Sequence, residues 1–367
     1  VVEEDKSIKS RTIMLKSLVI ENFRCFPHFE LSNLGRVNLL VGKNNSGKSS
    51  ILESIKLLYS GGHLSDFAEI AVVRHEYDYD FKDSDAVEFS NFFFGRDPED
   101  DSFFELTSIQ EHSNNRNELE KCGLRALVKL GYKSELGQMY YEVVPEIRIN
   151  EKVDKNPSFL LYGQDIKFIK KYSKKGVNSG KITRLVPPQS LVISDMIDLF
   201  ENVELTEKEY LVYQALQSID SSIERVAPTN RKGNASFRVK LYDCNRPVPI
   251  GSMGDGIRRM LGLALSIVNV KDGILLVDEI DTGLHYTAMD DMWKMIWQTA
   301  NDLNVQVFAT THSNDCWKSL AELAGTLDKN SDEIAIHRIE KERNYSITYS
   351  REEMIAALEE NYEVRGA

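Results

Sequence analysis

Paired cysteines are missing from this sequence. The four present, Cys25, Cys122, Cys244 and Cys316, form no C-x-x-C unit and no metal-ligand spacing. That excludes a disulfide framework and leaves reduced thiols in a cytoplasmic protein as the expectation. Long apolar runs are equally scarce: stretches such as Ile274–Val277 fall far short of the ~20 residues that cross a bilayer, so no membrane partner is expected. The first thirteen residues lack the apolar core and cleavage site of a signal peptide; residues 1–14 are expected to form a flexible extension, with Met14 as a natural start. Excess positive charge is absent too. With 45 Lys and Arg against 57 Asp and Glu, the formal net charge is −12, which weighs against a nucleic-acid coat protein. There is no internal repeat, and no sustained a/d heptad that would build a long coiled-coil arm.

What is present is an ordinary globular composition, 42% hydrophobic over 367 residues, enough to bury a core. That length suits about two domains, or one large α/β domain with an insertion. Residues 37–60 carry the most information. Val37–Val41 is apolar apart from Asn38 and reads as a buried strand. It runs into Gly42-Lys43-Asn44-Asn45-Ser46-Gly47-Lys48-Ser49, which fits G-x-x-x-x-G-K-[ST] at every fixed position, with Ser50 following. Successive N–H groups of such a loop point inward at phosphate oxygens. Lys48 is then expected to reach the β- and γ-phosphates of ATP, and Ser49 to ligate Mg²⁺. Ile51, Leu52, Ile55, Leu58 and Tyr59 recur at helical spacing, and Gly61-Gly62 ends that helix.

Ile274–Val277 has the look of a central parallel strand and ends in Asp278-Glu279. Behind a phosphate loop, Asp278 is expected to bind Mg²⁺, directly or through water, and Glu279 to polarise an attacking water. Between the two lies Gly251-Ser252-Met253-Gly254-Asp255-Gly256, opening a helix with Ile257, Leu261, Ala264, Leu265 and Val268 on its apolar side. Farther on, Val305–Ala309 reads as another buried strand, ending in Thr310-Thr311-His312-Ser313.

The ordered set Ile20-Glu21-Asn22-Phe23-Arg24, GKNNSGKSS, GSMGDGIRR, LLVDEIDTGLH and ATTHS resembles the RecF/SMC-like branch of ABC-type ATPases, most closely the ATPase part of overcoming-lysogenization-defect (OLD) proteins and their stand-alone relatives. The resemblance implies an α/β P-loop NTPase head over residues 15–367, with a mainly parallel core sheet and an antiparallel β lobe. A β-rich and helical insertion is expected at about 65–235. The resemblance further implies a homodimer, or higher homo-oligomer, sandwiching two ATP molecules. Ser252 and Gly254, in the place of the signature motif, would face the nucleotide held by the other copy's Lys48. His312 stands where the switch histidine would lie, and Asp281 where the D-loop would lie.

Phe23 and Arg24 are either early adenine contacts or, for Phe23, part of the core. Gln189 is a weak candidate for a Q-loop glutamine. Residues 65–101, rich in Asp and Glu, are expected to be a solvated, loop-rich stretch. Strand-like runs lie at Phe103–Thr107, Leu124–Leu130, Met139–Val144 and Ser158–Tyr162. Residues 190–226 read as helical, with Thr206 and Glu209 fitting a capping box. Lys167, Lys170, Lys171, Lys174, Lys175, Lys181 and Arg184 form a basic island, either a solvated hairpin or a contact to a phosphate backbone or acidic partner.

OLD proteins continue into a nuclease domain, whereas 54 residues follow Ser313 here and Glu333, Glu352 and Glu353 make no evident metal cluster. Nuclease chemistry is therefore expected to belong to a separate effector, nuclease or toxin. The leading expectation is an ATP-hydrolysing conformational switch that controls such an effector, plausible in antiphage defence. The alternative is a RecF-like repair or clamp ATPase whose ATP-bound dimer grips DNA.

Overall fold

The computed structural model describes residues 13–78, 86–87, 89–112, 115–133, 138–150, 152–155, 158–162, 182–231, 234–327, 333–360 and 362–366. The six lysines of the basic island lie outside the described residues; Arg184 lies within them. In chain order, β1 (Ile13–Phe23) and β2 (Phe26–Leu31) precede β3 (Val37–Val41), α1 (Lys48–Ser60) and α2 (Leu64–Arg74). Two short strands, β4 (Tyr77–Asp78) and β5 (Ala86–Val87), lead to β6 (Phe103–His112), β7 (Asn115–Lys133), β8 (Gln138–Ile149), β9 (Lys152–Lys155) and β10 (Phe159–Tyr162). Next come β11 (Thr183–Val186), α3 (Ile193–Glu201), α4 (Glu207–Ile219), β12 (Ile223–Arg231), β13 (Asn234–Leu241) and β14 (Val248–Pro249). The last stretch holds α5 (Asp255–Val268), β15 (Ile274–Val277), α6 (Met289–Asp302), β16 (Gln306–Thr311), α7 (Asn314–Thr326), β17 (Ile334–Arg338), β18 (Ile347–Tyr349) and α8 (Arg351–Glu359).

The chain divides into two compact units, one of Val1–Asn33 with Glu53–Ile182, the other of Leu34–Leu52 with Thr183–Ala367. The division falls inside α1, after Leu52. The first unit is an antiparallel sheet in the order β10-β8-β7-β6-β1-β2, with β9 paired to β8. Strand β1 begins at Ile13, so Ile13 and Met14 pair with His112 and Glu111 rather than trailing as an extension. A register shift between Leu15 and Ser17 changes the parity that faces inward, so Leu15 and then Leu18 and Ile20 are all buried.

Residues 65–101 depart from the expected solvated loop. Helix α2 occupies their start, burying Phe67, Ile70 and Ala71. Phe89, Phe92 and Phe93 are buried with them, and Phe67 meets Phe92 edge-on at 5.0 Å. Four aromatic residues dispersed among carboxylates supply a core, and the acidic composition conceals it.

The second unit carries a sheet in the order β11-β15-β16-β3-β17-β18, parallel throughout except for the β17–β18 pair. Every residue of β3, β15 and β16 is buried, the mark of strands covered on both faces. The expected helical stretch 190–226 resolves into α3 and α4, and the chain turns into β12 at Ile223. Met196, Leu199, Phe200, Val212, Ala215 and Leu216 from those helices join the core that holds Leu39, Leu275 and Val307. These helices thus belong to the unit with the phosphate loop. Thr206 caps α4 by accepting from Lys208 N at 3.2 Å, but Glu209 reaches back to Leu205 N at 2.9 Å, so the reciprocal capping box is not formed there. A full box closes instead at Ser350 and Glu353, at the start of α8.

Candidate functional site

Parallel pairing sets the geometry. Because β15, β16 and β3 run side by side, their carboxyl ends open on the same edge of the sheet. The loops that follow are Gly42–Gly47, Asp278–Asp281 and His312–Ser313. Ligands of open α/β sheets sit at such an edge.

The first loop leaves β3 through Gly42, whose φ of +150° suits glycine. A Cβ there would collide with the carbonyl oxygen of Ile339, so no other residue fits. Lys43, Asn44 and Asn45 are exposed, with Asn45 in the left-handed region at φ +60°. Ile51 N bonds Gly47 O at 3.0 Å as α1 begins. Lys48, 5% exposed, curls back over the loop and donates to Gly42 O at 2.9 Å and Lys43 O at 2.8 Å. Burial pulls its ammonium down to about 8, against the opposing pull of Asp278 and Glu279. Ser49 is half-buried, Ser50 buried, and the buried Ser46 hydroxyl has no hydrogen-bond partner. A desolvated cation and an orphan hydroxyl inside a loop of backbone donors fit a phosphate.

The second loop is held from several directions. Asp278 N donates to Val186 O at 2.9 Å, and Ile280 N to Thr310 O at 3.0 Å. Between them Glu279 adopts φ +46°, an uncommon conformation for a residue with a side chain. Its N–H donates to Thr310 Oγ1 at 2.8 Å, and that hydroxyl donates to Asp278 Oδ1 at 2.5 Å. Arg259, 2% exposed on α5, donates to the carbonyls of Pro187 (2.9 Å), Asp278 (3.1 Å) and Glu279 (2.9 Å). Burial pulls this guanidinium down to about 10. Thr311 Oγ1 donates to Asp281 Oδ1 at 2.6 Å, which ties the third loop to the second.

His312 is half-buried and faces Lys48, Glu279, Asp281 and the Gly42 backbone. Burial and then the Lys48 charge hold its imidazole below the usual range, so it stays neutral at pH 7. The structure therefore brings Lys48, Glu279 and His312 to the same carboxyl edge of the sheet. Ser252 and Gly254 are exposed instead, and a Gly254 Cβ would meet open space. Gly254, at φ +88°, is the N-cap of α5 with no side-chain cap. Among the described residues no hydrogen bond or ion pair ties Ser252 or Gly254 to the phosphate loop.

Two expectations change here. Phe23 is fully buried against Phe104, their rings 5.1 Å apart, which leaves the core reading standing. Arg24 is bound to Glu53 at 2.9 Å and Glu76 at 2.7 Å and lies over the Phe92 ring at 4.3 Å. A guanidinium so engaged is a structural tie within the first unit. Gln189 is exposed. The sequence reading passed over Thr310, Thr311 and Arg259. The two threonines were discoverable, because residues following adjacent parallel strands must be neighbours. No cluster of three or more His, Cys, Asp or Glu able to hold a metal exists among the described residues. A Mg²⁺ on Ser49 and Asp278 would thus take its remaining oxygens from phosphate and water. No described helix is long and apolar enough to cross a membrane.

Comparison with known proteins bears on the family and the fold. A family model described as AAA ATPase domain matches residues 14–122 and 97–316. The ATP/GTP phosphatase of Helicobacter pylori is 23% identical over 331 residues, spanning 82% of this chain and 86% of that protein. The DNA replication and repair protein RecF of Rickettsia canadensis is 45% identical over 51 residues, only 14% of either chain. Among solved structures, an SmcHead bound to the C-winged helix domain of ScpA superposes with a TM-score of 0.53 at 13% identity, covering 92% of this chain and 97% of that one. An Smc head with an extended coiled coil, bound to the C-terminal domain of ScpA derived from Pyrococcus furiosus, also gives 0.53 at 13%, covering 96% and 100%. At that identity the shared property is the fold of an SMC-type ATPase head.

Proposed function

The chain belongs to the AAA ATPase domain family, and from that premise we propose that it binds and hydrolyses Mg-ATP, closes as a homodimer on the nucleotide, and so switches a separate effector protein. The observation that carries this reading is the placement of Lys48, Glu279 and His312 after three neighbouring parallel strands, at one carboxyl edge of the sheet. Gly42–Gly47 backbone donors and Lys48 would hold the phosphates, with Ser49 and Asp278 as the oxygens for Mg²⁺. Mg²⁺ bound there would supply neutralisation of phosphate charge. One Thr310 hydroxyl binds the Asp278 carboxylate and the Glu279 backbone N–H, so the metal-binding carboxylate is tied to the backbone that carries the base. Glu279 then orients and deprotonates the attacking water, and the neutral His312 is available to hydrogen-bond the γ-phosphate. Ser252 and the uncapped α5 N-terminus would receive that phosphate from a second copy.

A separate effector, nuclease or toxin, in a cytoplasmic defence system remains part of this proposal, in keeping with the OLD-type resemblance of the motifs. The SMC heads of similar fold carry a bound ScpA domain, a precedent for a protein partner on this architecture. DNA is a less favoured partner: the RecF similarity spans 51 residues, and the net charge is −12.

Glu279→Gln tests the mechanism. The nearly isosteric amide should keep Mg-ATP binding and lower turnover by ~10²–10⁴. ATP then persists, and light scattering should register a doubling of mass on ATP addition, abolished by Ser252→Glu. A mass that never responds to ATP in any of these proteins would sink the dimer switch and leave a monomeric ATPase.

A further inference from the structure

The residues after α8 return to the site. Val364 is fully buried, and Tyr362 N bonds Ala357 O at 2.8 Å. Arg365 presents a fork to Glu363, with Nε to Oε1 at 2.9 Å and Nη2 to Oε2 at 2.8 Å. Its remaining nitrogen, Nη1, donates to the backbone carbonyl of His312. The Asn314 amide oxygen, two residues beyond His312, accepts from Trp317 Nε1 at 3.0 Å. The Arg365 end of the pair thus acts on the turn that carries His312. On the opposite side, Thr311 Oγ1 binds Asp281.

We propose that Arg365 is a positioning residue for ATP hydrolysis, fixing His312 through its carbonyl while Glu363 holds the guanidinium in the required plane. The inference rests on the ATPase reading of His312. A bidentate carboxylate on Nε and Nη2 fixes the plane of the guanidinium, and Nη1 on its free edge then meets the His312 carbonyl. With the carbonyl held, the peptide plane cannot rotate and the imidazole keeps its place beside Lys48 and the Gly42 backbone. Glu363 stays ionised to about pH 2 because Arg365 binds it, so the tie holds across the working pH range.

The test is a double-mutant cycle in ATP turnover. Arg365→Ala should lower kcat roughly tenfold with KM changed less than about threefold, since the phosphate loop is untouched. Arg365→Lys, which supplies one donor but no fork, should fall between. In a His312→Ala background, Arg365→Ala should cost nothing further, because its effect passes through the ring. A readout independent of turnover is the ring signal of His312 in carbon-13 histidine spectra at fixed pH, which Arg365→Ala should shift and broaden. Melting curves establish that each variant is folded; if Arg365→Ala is not, Glu363→Gln replaces it in the cycle. Additive losses, an unchanged kcat, or a rise in KM matching the fall in kcat would overturn the positioning role. If His312→Ala itself leaves turnover intact, the functional reading of that histidine has failed and the inference with it.

Discussion

The loops at the carboxyl edge of the parallel sheet and the segment that opens α5 are built by opposite rules. Around Asp278 and Glu279, backbone groups are bonded by Val186, Thr310 and Arg259, and the conformation is fixed from two strands and a helix. At Gly251–Gly256 the chain is mostly exposed, its helix start has no side-chain cap, and a Gly254 Cβ would meet open space. The first region is held within one chain. The second offers backbone donors that no side chain caps. The contrast teaches what the proposed two-copy reaction would require: chemistry pre-set in the protomer and a receiving face supplied by the exposed segment.

The sharpest way to break this contrast is to remove the ligand-facing charge from the complete region. Lys48→Met should lose charge-assisted bonds to phosphate, so ATP affinity measured by calorimetry should fall by ~10²–10³. The same variant should melt no lower than the parent, because the ammonium is desolvated in the nucleotide-free protein. An unchanged affinity would remove the phosphate-loop assignment. Next in size is Arg259→Met, which leaves three carbonyls without their donor and should lower stability by about 2–4 kcal/mol in denaturant titration. A loss below ~1 kcal/mol would mean the loop holds its shape without that arginine.

The smallest effect concerns protons. The Lys48 ammonium titrates at about 8 in the folded protein, below the ordinary 10.5, whereas phosphate favours its charged form. ATP binding should therefore take up close to one proton at pH 9 and almost none at pH 7, measured by calorimetry in buffers of different ionisation enthalpy. The sign for folding is the reverse of the usual lysine that gains a partner, and the same as for a carboxylate whose pKa is lowered. Between pH 8 and 10.5 the unfolded chain holds more proton on this residue, so its contribution to stability improves as pH rises. Equal proton uptake at both pH values would show that Lys48 is not the group that meets the phosphate.

Legibility in the sequence followed the range of each contact. The phosphate loop is local, with spacing and strand–loop–helix context within Val37–Ser60, and the parallel core could be read from the apolar runs of β3, β15 and β16. Thr310 was readable in principle but only after pairing β15 with β16. Arg24 misled because a motif position says nothing of its partners, and Glu53 and Glu76 lie 29 and 52 residues away. The aromatic core of α2 was hidden by charge counting. Arg365 was invisible: its carbonyl partner lies 53 residues upstream, and no periodicity marks such a contact.

The left-handed backbone of Glu279 bears on how sites of this kind diverge. A residue with a Cβ gives up about 1–2 kcal/mol there, which Gly or Asn would largely recover. Drift under selection for stability alone would move this position toward those two residues, and each would abolish the carboxylate. If Glu279 is the base proposed above, a copy bearing Gly or Asn after the aspartate would still load nucleotide, be sturdier than its parent and fail to reset. The position would then separate chains that turn over from those that only hold a shape.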